Sequence, residues 1–123
     1  MVRGLGLDLV TISRIERLLG RFGDGFLDKI FTPLERAHCD RHRLAAQHYA
    51  ARFAAKEAIL KALSVPKGLR WHELEVRSAP DGRPEVHLHG QAAVAARDLG
   101  VTSILLTLTH ERDLAAAMVV AEG

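Results

Sequence analysis

The stretch Tyr49-Ala50-Ala51-Arg52-Phe53-Ala54-Ala55-Lys56-Glu57-Ala58-Ile59-Leu60-Lys61-Ala62-Leu63 most constrains what this chain can become. Ala, Leu, Lys, Glu and Arg dominate it, and all are strong helix formers. Phe53, Leu60 and Leu63, with the alanines between them, supply the 3.6-residue apolar stripe of a packed helix. Glu57 interrupts that stripe. It stands one turn from Phe53 and one turn from Leu60, so its carboxylate projects at the edge of the apolar face. An ordinary Glu57–Lys61 pair on a solvated helix contributes only a few tenths of a kcal/mol. A carboxylate set among Arg52, Lys56 and Lys61 also suits a metal and an anionic ligand. The helix by itself leaves both readings open.

With 123 residues, the chain fits one domain spanning 1–123, or a protomer that completes its core by association. Apolar runs are too short for a membrane span, and Met1-Val2-Arg3-Gly4 opens no signal-peptide core, so a cytoplasmic protein is expected. Cys39 is the only cysteine, which excludes an intrachain disulfide. A net charge of +2 favours anionic partners without specifying nucleic acid, and none is expected.

Residues 2–10 alternate with period two and read as a strand, with Leu5, Leu7 and Leu9 on one face and Gly4, Gly6 and Asp8 on the other. Glycine weakens a strand unless something must approach its backbone, so the second face reads as a floor for a polar ligand beneath Asp8. A helix follows, with Ser13 and Glu16 as a capping box or Thr11 as the cap, and Ile15, Leu18, Leu19 and Phe22 as its buried stripe. Arg14, Arg17 and Arg21 form an exposed stripe that suits either plain solvation or an acidic partner. Thr32-Pro33-Leu34-Glu35 is a clear helix start. Cys39 and His42 have a zinc-like spacing, but no second pair follows, so zinc is not expected there. The central helix should run from about 44–47 to 63–64, stopped by Val65-Pro66-Lys67-Gly68. Strands are expected at 71–77 and 85–89, a helix at 91–99, and strands at 102–109 and 114–121. His87 and His89 share a face that reads as solvated. The order predicts an α+β fold: an antiparallel sheet packed by a long central helix.

Four motifs occur in order: Gly4-Leu-Gly-Leu-Asp8-Leu9-Val10; Arg52-Phe-Ala-Ala-Lys-Glu57-Ala-x-x-Lys61-Ala; Trp71-x-x-Leu-Glu-Val76 with Gly82-x-Pro84; and Thr107-Leu-Thr-His110. Together they resemble the short, bacterial type of 4′-phosphopantetheinyl transferase, the holo-acyl-carrier-protein synthases, over essentially the whole chain. The resemblance implies transfer of 4′-phosphopantetheine from coenzyme A to a serine hydroxyl of an apo-acyl carrier protein, with adenosine 3′,5′-bisphosphate as the other product. It implies that Asp8 and Glu57 hold magnesium and that Lys61 serves the pyrophosphate. Arg43, Arg52, Lys56, Pro84, Thr107, Thr109 and His110 are the further coenzyme candidates. The Thr107–His110 segment is expected to act from an adjacent subunit of a homotrimer. Glu57, acting directly or through a water it orients, is the first choice for the base and His110 the second. Arg14, Arg17 and Arg21 match a carrier-docking surface. Ser64–Gly68 departs from the Gly-rich turn usual there, which puts coenzyme contacts at that turn in question.

Two rival readings use the same residues. A magnesium-dependent phosphodiesterase employs Asp8, Glu57 and Lys61 with water as nucleophile. A non-catalytic module binds an acidic partner through the arginine stripe, but leaves the placement of Asp8 and Glu57 unexplained.

Overall fold

The computed structural model describes residues 1–64 and 68–123. Its elements are β1 (Val2–Thr11), α1 (Ile12–Phe22), α2 (Asp24–Ile30), α3 (Pro33–Asp40), α4 (Ala45–Leu63), a 3-10 turn at Trp71–Glu73, β2 (Leu74–Ser78), β3 (Pro84–Leu88), α5 (Gly90–Asp98), β4 (Ser103–Glu111) and β5 (Leu114–Glu122). Strands β1, β5 and β4 form an antiparallel sheet in that order, and β2 and β3 form a separate hairpin. The α+β class is as expected. Two boundary differences bear on the site. Residues 71–73 coil into the 3-10 turn before the strand, and β4 runs on through His110 and Glu111, leaving the reversal to Arg112 and Asp113.

Helix α4 lies across the inner face of the three-stranded sheet, and the glycines of β1 explain how closely. A Cβ on Gly4 would stand 1.9 Å from the Ala62 carbonyl oxygen, and one on Gly6 1.8 Å from that of Ala58. The two glycines therefore clear a track for the helix backbone, and the expected ligand floor is not there. The close seat has a consequence for Asp8, the next inward-facing residue of β1. It is carried to the turn of α4 that bears Glu57 and Lys61, where Lys61 Nζ meets Asp8 Oδ1 at 3.1 Å.

The core between helix and sheet is filled by small side chains: Ala54, Ala55, Ala58 and Ile59 from α4, and Ala115, Ala117, Val119 and Ala121 from the central strand β5. Small residues permit the close approach. The outer face of the same sheet is apolar and uncovered. Leu5, Leu7 and Leu9 are 66, 60 and 62% exposed. Register places Leu5 and Leu105 beside Val120, and Leu7 and Thr107 beside Met118, so these side chains form one continuous surface.

Helix α1 departs from its expected cap. Neither the Ser13–Glu16 box nor a Thr11 side-chain bond forms. Asp113, from the β4–β5 turn, takes over by accepting from the Ser13 amide at 2.9 Å and the Ser13 hydroxyl at 2.6 Å. Ile15 is buried, Leu18 and Leu19 are half-buried, and Phe22 is exposed rather than packed. Helix α3 starts as predicted, with the Thr32–Glu35 capping box in place. The departure noted at Ser64–Gly68 turns on Pro66, and residues 65–67 lie outside the described residues.

Candidate active site

Asp8, Glu57 and Lys61 come together as the sequence pattern anticipates. Lys61 donates to Asp8 and, at 2.8 Å, to the Leu7 carbonyl. Burial raises the Glu57 carboxyl above its ordinary value, and the negative charge of Asp8 raises it further; Lys61 and Arg14 act in the opposite sense. Two carboxylates thus share a water-accessible edge, and Lys61 and Arg14 only partly offset the burial and repulsion that disfavour the Glu57 charge. An all-oxygen donor pair of this kind fits magnesium, which prefers oxygen ligands and retains waters.

Lys56 is a correction. Its side chain is wholly buried, its ammonium lies 2.9 Å from Glu35 Oε1, and it donates to the carbonyls of Trp71 at 3.0 Å and Leu74 at 2.9 Å. An ammonium has three hydrogens, and all three are used. Burial lowers its pKa below the ordinary lysine value, and Glu35 acts in the opposite sense. Lys56 is a structural residue with no donor left for a coenzyme.

Arg52 lies about 140° around α4 from Glu57, five residues at 100° each. It reaches a groove of about 360 Å³ bordered by Ser78, Gly82, Pro84 and Thr107. Its Nη2 donates to Ser78 Oγ at 3.1 Å, while Nε is buried without a hydrogen-bond partner among the described residues. An unsatisfied guanidinium at a groove wall is suited to an anionic oxygen. Arg43 is exposed in the turn before α4. His110 sits at the N-terminal end of α4, with its ring 2.6 Å from Gln47 Nε2. Thr109, like Thr107, projects from the outer sheet face.

The predicted residues therefore fall into two groups on different sides of α4. Asp8, Glu57 and Lys61 face α1, whereas Arg52, Pro84 and Thr107 border the groove toward the hairpin. Arg14, Arg17 and Arg21 are all exposed along α1, and Arg14 is near enough to bias the charge of Glu57. His87 and His89 do not act as a pair: the first lies 3.2 Å from Glu85 and the second 3.0 Å from Glu75.

Sequence reasoning missed two features. Glu35 was legible as a helix cap but not as the counter-ion of Lys56, since nothing local links positions separated by an intervening turn. His38, His42 and His48 converge from the end of α3, the following turn and the start of α4, with ligand atoms within 4.8 Å of one another. The spacing read from the sequence is that of Cys39 and His42; the one-turn spacing of His38 and His42 is the local signal passed over, and His48 needed the packing of two helices. Cys39 stays in the core, its thiol pushed up to about 12 by burial.

Comparison with known proteins identifies the family. A family model described as the 4′-phosphopantetheinyl transferase superfamily matches residues 4–119. A holo-[acyl-carrier-protein] synthase of Anaeromyxobacter sp. (strain K) is 49% identical over 126 residues, covering 100% of this chain and 98% of the relative. That of Desulforudis audaxviator (strain MP104C) is 46% identical, covering 100% of this chain and 95% of the relative. Among solved structures, holo-[acyl-carrier-protein] synthase from Neisseria meningitidis superposes with a TM-score of 0.87 at 31% identity, over 100% of both chains. The Helicobacter pylori synthase in complex with coenzyme A gives 0.84 at 29% identity, covering 96% of this chain and 99% of that one. The chain belongs to the 4′-phosphopantetheinyl transferase superfamily and, within it, to the holo-[acyl-carrier-protein] synthases.

Proposed function

We propose that residues 1–123 form one transferase domain that moves 4′-phosphopantetheine from coenzyme A to a serine hydroxyl of an apo-acyl carrier protein, with magnesium, releasing adenosine 3′,5′-bisphosphate. The observation that carries this reading is the under-neutralised Asp8–Glu57 pair beside Lys61, next to the exposed arginines of α1. Asp8 and Glu57 hold the ion, which when bound neutralises charge on the phosphate under attack. Glu57, acting directly or through a water it orients, takes the serine proton. The serine oxygen forms its bond to phosphorus as the pyrophosphate P–O bond breaks. Lys61, with its side chain 53% exposed, turns from Asp8 to stabilise the departing phosphate. His110 is the second candidate for the proton.

Arg14, Arg17 and Arg21 steer the acidic carrier to this edge. Arg52, Pro84, Thr107, Thr109 and Arg43 serve the coenzyme, with the Arg52 guanidinium at the groove wall as a donor for its phosphates. Their separation from Asp8 within one chain, and the uncovered leucine face that carries Thr107 and Thr109, support a homotrimer in which one subunit's β4 completes its neighbour's site. Among the described residues no helix is long and apolar enough to cross a membrane. We place the enzyme in the cytoplasm, in fatty-acid synthesis.

Intact-mass spectrometry of an apo-carrier incubated with the protein, coenzyme A and magnesium tests the reading. A carrier heavier by one phosphopantetheine, formed only with metal and with Glu57 intact, is expected. An unmodified carrier with cleaved coenzyme A would instead indicate a phosphodiesterase.

A further inference from the structure

The geometry points to a second metal site, of the zinc type and distinct from the Asp8–Glu57 pair, formed by His38, His42 and His48. One nitrogen from each ring lies within 4.8 Å of the others. Tetrahedral zinc with Zn–N bonds of about 2.1 Å requires nitrogens about 3.4 Å apart. Small side-chain rotations close that difference. In the metal-free arrangement the His42 and His48 rings stack, with centroids 3.7 Å apart and planes at 14°, and capture of an ion opens that stack.

A histidine cluster that merely packs satisfies its ring nitrogens, and this one does not. His42 Nε2 is buried without a hydrogen-bond partner among the described residues. The contacts of His38 Nδ1 with Arg41 and Ser78 are both long, at 3.4 Å. Burial, followed by the charge of Arg52, lowers the His38 ring to about 4, and burial also lowers His48. Neutral rings keep their lone pairs for a metal. Imidazole donors suit zinc, cobalt, nickel or copper, and magnesium is a poor occupant.

Three protein ligands leave a fourth position open. It borders the groove that holds Arg52 and Ser78. Arg52 lines the same groove as the three histidines and does not favour a bare cation there, so the complete site holds a divalent ion together with an anionic fourth ligand. The ligand class is a transition-metal ion with an attached hydroxide, phosphate or carboxylate.

Cobalt titration of the chelator-stripped full chain tests this. The expected result is a saturable visible band of tetrahedral cobalt at one equivalent, displaced by zinc and retained in Glu57→Gln and in His87→Gln/His89→Gln. Loss of even an outer-shell partner typically weakens metal binding about 10–100-fold. Either His42→Gln or His48→Gln should therefore weaken it at least tenfold, with metal-free melting temperatures matching the unaltered chain. Independently of any variant, one equivalent of zinc should shift the ring signals of three of the seven histidines by NMR. No saturable band, a band abolished by Glu57→Gln, or ring shifts confined to other histidines would overturn the proposal.

Discussion

Lys56 and Lys61 stand five positions apart on one helix, each beside a carboxylate, and the fold uses them in opposite ways. The Lys56–Glu35 pair is closed. Both side chains are fully buried, and Glu35 also accepts from the amides of Thr32 and Val76, each at 2.8 Å. One carboxylate thereby joins the start of α3, the middle of α4 and strand β2. Such a pair contributes little over an apolar substitute, but removing one partner is costly because the other is left charged and dry. The Asp8–Glu57–Lys61 group is open. It has two carboxylates to one lysine, a lysine half in water, and a glutamate whose charge its surroundings disfavour. The first cluster is finished by the protein; the second needs a cation and an anionic substrate to finish it. A lysine's part here is set by which side of α4 it leaves from.

The largest effect that could break this contrast is at Lys56. Lys56→Met should cost about 3–5 kcal/mol of stability by leaving Glu35 unpaired. Denaturant unfolding measures it, and the Lys56→Met/Glu35→Leu double variant should recover only part of the loss, because it removes the stranded charge but also the acceptor of the Thr32 and Val76 amides. On the open side, Glu57→Gln and Asp8→Asn should lower turnover about 10²–10³-fold, the scale of losing one electrostatic stabiliser, with the fold intact. Steady-state kinetics with a carrier and circular dichroism separate the two. Gly6→Ala sharpens the comparison, since it pushes β1 from α4 without touching a charge. It should destabilise by about 1–3 kcal/mol, the usual cost of overpacking, and depress turnover by moving Asp8. Smallest is Arg14→Glu, which should raise KM for an acidic carrier about tenfold, more at low salt than at high, while leaving the melting temperature unchanged.

Much of this was legible in the sequence, and the failures have physical reasons. The period-two and 3.6-residue patterns located β1, α4, β4 and β5, and the odd placement of Glu57 and Asp8 marked the open site. Gly4 and Gly6 were correctly taken as a place of close approach, but the visitor is the backbone of Ala58 and Ala62 rather than a ligand. Lys56 and Lys61 look alike locally, and only the distant Glu35 tells them apart. The cap of α1 comes from Asp113, which no local pattern could supply. The histidine cluster needed the end of α3 folded back on α4. What periodicity reads is which face a residue takes; it does not read what covers that face.

The most direct test is the melting temperature of the unaltered chain and of Glu57→Gln, at neutral pH, with coenzyme A present and magnesium added or chelated. Glu57 has a carboxyl raised in the folded state, so stability falls as pH rises from the ordinary glutamate range through the raised value. Glutamine removes that loss. Without magnesium, Glu57→Gln should melt at or above the unaltered chain, by up to a few degrees. Magnesium should stabilise the unaltered chain and leave the variant unmoved. A variant that melts lower without metal, or that gains as much from magnesium as the unaltered chain does, would contradict the account of an open, cation-seeking site.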